Sequence, residues 1–176
     1  MIKADMHIHS TVSDGSFTIP ELISRAKENS LDAIVITDHD TLSHSKQLPE
    51  HSGIRVTAGI EISAFDYEKN FRVHILGYNI RNIDLIEKTV RPTLEARHEN
   101  SIKQIGILNQ YGYEIDINEL RKADGKYIYK QHIMENLVRR KKADEMFGNF
   151  YYSTFKNGGI CAFDIRYISP LELSLI

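Results

Sequence analysis

The 176-residue chain has a single cysteine, Cys161, so it has no internal disulfide framework, a usage that fits a reducing cytoplasm. No apolar run approaches the roughly 18 residues of a membrane span. The opening Met1-Ile2-Lys3-Ala4-Asp5-Met6-His7 is too polar for a secretory leader. Charge of one sign is not in excess: 22 basic against 24 acidic side chains leave a formal net charge of −2. That balance offers no broad basic footprint for duplex DNA or an anionic membrane. Internal repeats and low-complexity linkers are missing as well. What is present, 41% hydrophobic and 26% charged residues, describes a folded chain rather than a disordered one. The length suffices for one domain with a real core. A cytoplasmic globular protein is the expectation.

The first 80 residues alternate strand-like and helix-like pieces. Met1–His9 begins apolar and ends polar. Thr18-Ile19-Pro20-Glu21 reads as a helix start, with a capping threonine, a first-turn proline and a glutamate three residues on. Leu22, Ile23 and Ala26 give that helix an apolar side. Ala33–Ile36 is a continuous apolar run typical of a strand buried on both faces. Ile54–Ile62 and Phe71–Tyr78 are further strand candidates, and the spacings predict βαβ units with a parallel sheet or barrel. Residues 83–110 are helical in pattern, with Pro92 expected to break the helix or start a second one and Gly112 to stop it. Asp116 and Glu119 predict a short helix around Leu120, and residues 131–142 a further one.

Each early strand candidate ends in residues suited to metal binding. His7 and His9, two apart, share one side of a strand. Asp14 follows in a turn, His39 closes the next strand, Glu61 the third, and His74 lies within the fourth. In parallel α/β folds the carboxyl ends of the strands share a rim, where such groups converge. Imidazole and carboxylate together suit zinc, manganese or iron. A histidine within a strand is also an ordinary structural residue; it is the combination that points to a metal.

Asp5-Met6-His7-Ile8-His9-Ser10, Ser13-Asp14-Gly15, Ile36-Thr37-Asp38-His39-Asp40-Thr41, Gly59-Ile60-Glu61-Ile62-Ser63 and His74-Ile75-Leu76-Gly77-Tyr78 resemble, in order, the motifs of the PHP (polymerase and histidinol phosphatase) domain. The similarity is to its stand-alone phosphoesterase branch, which includes a nucleotide bisphosphate phosphatase and a 5′–3′ exoribonuclease. The resemblance implies a distorted (β/α)7 barrel, here its N-terminal part with a helical insertion. Residues 1–81 would be barrel, 82–158 insertion and 159–176 the start of a return to the barrel. It implies up to three divalent ions (manganese, iron or zinc). His7, His9 and Glu61 would hold the first, Asp14 and His39 the second, and Glu61, as a bridge, with His74 the third. A metal-bound water would then replace any protein nucleophile, with Asp38 orienting a ligand rather than being one. The implied substrate is a small phosphorylated molecule, a nucleotide or short oligonucleotide.

The family supplies further ligands from a His-Pro motif and an Asp-x-His pair, and neither follows residue 78 here. The alternative expectation is therefore an incomplete module that binds metal or phosphate without turnover, or that needs self-association or a partner chain to complete its site. Arg97, Lys130 and His132 stand where the branch carries basic substrate contacts, although Asn100 replaces a second arginine. His132 is equally readable as structural. Arg139–Lys142 reads as a solvated helix end, Phe147, Phe150, Tyr151, Tyr152 and Phe155 as local core or interface, and Cys161 as inert. His44, His51 and His98 lie outside the motifs and are expected at the surface.

Overall fold

The computed structural model describes residues 1–124 and 126–175. The chain packs as two compact units, Met1–Leu94 together with the segment from Tyr167, and Glu95–Arg166.

In the first unit, β1 (Ala4–Ile8), β2 (Ala33–Ile36), β3 (Arg55–Asp66) and β4 (Phe71–Tyr78) form one sheet in that order. β1, β2 and β3 run parallel, while β4 returns antiparallel to β3. The fold is mixed α/β, and the wholly parallel sheet expected above is corrected at its last strand. The reason lies in the four-residue link after β3. Asp66 Oδ1 accepts the Glu68 and Lys69 N–H groups at 3.1 and 2.9 Å, and Asn70 takes a left-handed φ of 57°. A link this short makes a hairpin, which reverses the strand. β3 also runs past Ile62, because Ser63–Asp66 pair with His74–Phe71.

α1 (Ile19–Glu28) joins β1 to β2 as a βαβ unit. Glu21 accepts the Thr18 N–H and Oγ1–H at 2.8 and 2.7 Å, closing the helix start, and Pro20 sits in the first turn. Ile19, Leu22, Ile23 and Ala26 pack on Ile34 and Ile36 of β2. Burying each of the larger of these side chains stabilises the unit by about 1.5–3 kcal/mol. Between β2 and β3 there is no full helix, only a 3₁₀ turn, Ser43–Gln47.

α2 (Ile83–Gln110) continues through Pro92, where a break was expected. Proline removes one backbone hydrogen bond. Its neighbours on either side compensate: Val90 is buried with Leu42, Ile60 and Ile62, and Leu94 is buried too. The helix stops as the sequence predicts, with Gly112 at a left-handed φ of 83°. The segment from Tyr167 returns to β3, where Phe65 N–H donates to Ile168 O at 3.0 Å and Tyr67 O–H to Tyr167 O at 2.9 Å. It ends in α5 (Pro170–Leu173), capped by Ser169.

The second unit has its own core, formed by Ile105, Leu108, Ile133, Met134, Leu137 and Phe155. Around it lie α3 (Lys130–Arg139) and α4 (Asn149–Phe155). The short helix expected around Leu120 is a single 3₁₀ turn, Ile117–Glu119. Asp116 Oδ1 accepts the Asn118 N–H, which favours a turn over a helix, and Leu120 is buried in the core. Cys161 is fully buried. Among the described residues no helix is long and apolar enough to cross a membrane.

Candidate metal centre

Six side chains from three strands and two loops meet in the first unit. His7 lies within β1 and His9 one residue past its end, with ring centroids 5.3 Å apart. Glu61 lies in β3, paired by a bridge with His39, which follows β2 by three residues. His74 lies in β4 on the face that Glu61 presents. Asp14 is brought in by the turn after β1, closed by the Ser13 and Gly15 N–H groups donating to Ser10 O. Gly15 is required there, since a Cβ would fall 2.1 Å from the His9 carbonyl oxygen.

Glu61 is the hub. Its Oε2 lies 2.9 Å from His7 Nε2, 2.6 Å from His9 Nε2 and 3.6 Å from His39 Nδ1, and its Oε1 lies 2.5 Å from His74 Nδ1. Asp14 Oδ1 meets His9 Nδ1 at 2.8 Å, and Asp14 Oδ2 is 4.0 Å from His39 Nε2. The Glu61 side chain is only 5% exposed, whereas His7 and His74 are 47% and 40% exposed and open the cluster to solvent. Burial alone would raise the Glu61 pKa, but hydrogen bonds from His74 and His9, with the charge of His39, hold it well below the usual carboxylate range. Burial likewise works against a proton on His9, yet hydrogen bonds to Asp14 and Glu61 outweigh it and raise its pKa to about 10.

The donor set fits a divalent cation. His7 Nε2 and His9 Nε2 face one another at 3.3 Å, both directed at the same oxygen of Glu61. Imidazole nitrogens so placed repel unless a proton or a cation lies among them. The atoms that could ligate fall into three groups, each within 4.8 Å: His7, His9, Glu61; His9, Asp14, His39; and His39, Glu61, His74. His9 and His39 thus each stand in two groups, a sharing that the spacing in sequence does not reveal.

The loop bearing His39 is held from several sides. Asp40 adopts a left-handed φ of 54°, its N–H donates to Glu61 O at 3.0 Å, and its Oδ1 accepts the Ser63 N–H at 2.8 Å. Asp38 is fully buried and accepts from Ser10 N–H, Ser10 Oγ–H and Ser13 Oγ–H at 2.8, 2.7 and 2.6 Å. His44, expected at the surface, is fully buried instead, its Nδ1 3.1 Å from Asp38 Oδ2. It is the site-adjacent residue that sequence reasoning misses, because no motif marks it and only the 3₁₀ turn carries it inward. His98 is half-buried and accepts the Ile128 N–H at Nδ1, at 3.1 Å, which also corrects a surface placement. His51 is exposed.

Arg97, Lys130 and His132 belong to the second unit. The Arg97 guanidinium lies over the Tyr129 ring at 5.3 Å, and Lys130 Nζ lies 5.3 Å from the Phe155 ring centroid. His132 is buried, with Nδ1 accepting the Tyr129 N–H at 3.2 Å at the start of α3. It also lines a cavity of about 240 Å³ with Arg121, Glu135 and Asn136.

The chain matches the model of the PHP domain over residues 5–156. It belongs to the PHP domain family. This PHP chain is 39% identical over 175 residues to the phosphoribosyl 1,2-cyclic phosphate 1,2-diphosphodiesterase of Eggerthella lenta, covering 96% of the chain and 66% of that protein. It is 37% identical over 152 residues to a 5′–3′ exoribonuclease of Escherichia coli, covering 81% of the chain and 50% of the relative. The chain thus spans between half and about two thirds of these relatives. A crystal structure from Bifidobacterium adolescentis, named as a metal-dependent phosphoesterase, matches its fold with a TM-score of 0.83 at 22% identity, over 98% of the chain and 62% of that structure.

Proposed function

We propose that this PHP chain is a metal-dependent phosphoesterase that hydrolyses a small phosphorylated substrate, a nucleotide or short oligonucleotide. The observation that carries the reading is the convergence of four imidazoles on the single carboxylate of Glu61. The named activities of the relatives, a cyclic phosphate diphosphodiesterase and an exoribonuclease, support it. Divalent ions, up to three of manganese, iron or zinc, would lower the pKa of a water and neutralise phosphoryl oxygens. His7, His9 and Glu61 are the ligands assigned to the first ion, Asp14 and His39 to the second, and Glu61 with His74 to the third. Asp38 does not ligate; it fixes the turn that presents Asp14.

The four-stranded sheet is read as part of the family barrel. Assignment of Arg97, Lys130 and His132 to substrate phosphate rests on family resemblance. A cytoplasmic location accords with the single, buried Cys161. The test is elemental analysis of the purified chain together with phosphate release from nucleotide bisphosphates and short oligonucleotides in added manganese. Two or three metal equivalents per chain, with turnover lost in Asp14→Ala or His39→Ala, are expected. Hydrolysis of none of these substrates by a metal-loaded chain would leave the binding-only alternative. Absence of bound metal would overturn both.

A further inference from the structure

The environment of Asp38 shows how the site is aimed. Three of its contacts come from the Ser10–Gly15 turn: Ser10 N–H and Ser13 Oγ–H at Oδ1, and Ser10 Oγ–H at Oδ2. The fourth is His44 Nδ1, at 3.1 Å from Oδ2. Asp38 and His44 are both fully buried, so water does not compete for this contact. Neither ring nitrogen of His44 makes a hydrogen bond among the described residues, and the Asp38 carboxylate is the polar group in close contact with Nδ1. A buried imidazole with one polar neighbour is costly unless that neighbour uses it.

The turn that bears His44 is itself anchored. Thr41 Oγ1–H donates to Glu87 Oε1 of α2 at 3.0 Å, the Leu42 N–H donates to the same oxygen, and the Ser43 N–H donates to Thr41 Oγ1 at 3.1 Å. On the other side of Asp38, Ser13 Oγ lies 3.4 Å from Asp14 Oδ1, and Asp14 holds His9 Nδ1. Physical contact therefore runs without a break from α2, through the His44 turn and Asp38, to Asp14 and His9.

We propose that His44 is a positioning residue: by fixing Asp38 it sets the Ser10–Gly15 turn where Asp14 meets His9 and His39. The consequence for metal affinity rests on the metal reading above. The effect on the Asp14–His9 pairing does not.

The test compares three variants of the whole chain. His44→Leu fills the space without a nitrogen, His44→Asn places an amide N–H near the position of Nδ1, and His44→Gln displaces it. Two measurements are made: nitrogen–proton NMR of the His9 and His39 rings in metal-free protein, and calorimetric titration with manganese. In a folded His44→Leu chain, the His9 ring signals are expected to move and manganese affinity to fall about 10–100-fold, the loss typical when a ligand's supporting partner is removed. His44→Asn is expected to restore both, and His44→Gln neither. Wild-type ring signals in folded His44→Leu would overturn the proposal. If His44→Leu does not fold, equal behaviour of the Asn and Gln variants would overturn it instead. A wild-type chain that binds no manganese, iron or zinc defeats the metal reading, and the His9 signals then decide the positioning role alone.

Discussion

Glu61 on β3 and His74 on β4 stand two residues out of register across an antiparallel pair, yet Oε1 and Nδ1 lie 2.5 Å apart. Directly opposite Glu61 is Leu76, and opposite His74 is Ser63. Diagonal neighbours on one face are within reach of long side chains. A slip of one residue in the hairpin would turn His74 to the other face, so the register set by the Tyr67–Asn70 link is also what completes the cluster.

Glu61→Gln keeps the shape of the hub and removes its charge. The four surrounding imidazoles then lose the negative charge they share, and metal binding is expected to weaken by about tenfold or more, no less than for loss of a ligand's support. In the metal-free chain, the His9 pKa should fall from about 10 toward its ordinary value, because Glu61 is one of the two groups that raise it. Metal titration and histidine NMR check the two halves of this prediction separately. An unchanged His9 titration would remove Glu61 from the hub.

Metal loading should be strongly pH-dependent. His9 has its folded pKa raised to about 10, so its stabilisation of the metal-free chain is fully present below its unfolded value and is lost as pH rises through about 10. Glu61 is depressed, so its contribution is present above its unfolded value and is lost as pH falls through the folded one. A metal needs the ligating nitrogen of His9 free of its proton, so binding releases a proton from the imidazolium and is favoured by rising pH. The gain in melting temperature on adding manganese should therefore grow between about pH 6 and pH 8. Calorimetry in two buffers of different ionisation enthalpy should show proton release, and a buffer-independent heat would contradict it.

Part of this cluster is legible in the sequence because His7, His9 and His39 sit at or just past strand ends. His7 and His9 share a face by strand periodicity, His39 follows the apolar run Ala33–Ile36, and Glu61 follows the buried Ile60 on β3. His74 was legible as a ligand candidate, but the antiparallel direction of its strand was not, since that depends on a turn held by Asp66 and Asn70. His44 was misjudged because burial of a 3₁₀ turn leaves no periodic trace. Pro92 misled because propensity is local, while the packing of Val90 and Leu94 is not.

Gly15→Ala should be costly. The added Cβ would meet the His9 carbonyl oxygen at 2.1 Å and the Ser10 nitrogen at 2.8 Å, both backbone atoms with no rotamer to yield. The turn must shift, and Asp14 with it. Forcing a methyl into so tight a place destabilises by about 1–3 kcal/mol, to be read from urea unfolding. The same variant should lose manganese affinity, because the Asp14–His9 contact of 2.8 Å moves with the turn. Unfolding and binding like those of the parent chain would mean that the turn has a second, open conformation.

Pro92→Ala should act in the opposite direction. Pro92 is exposed and lies inside a 28-residue helix, so its ring contributes little packing and deprives the Lys88 carbonyl of its helical donor. Alanine restores that donor and carries the highest helix propensity, for a gain of up to about 3 kcal/mol. Val90 and Leu94, buried on either side of it, are expected to keep their places. The midpoint of urea unfolding should rise while metal stoichiometry stays the same, because Pro92 is not one of the six clustered side chains. A fall in stability would show that the proline stiffens the unfolded chain, or shapes the helix, by more than the missing hydrogen bond costs.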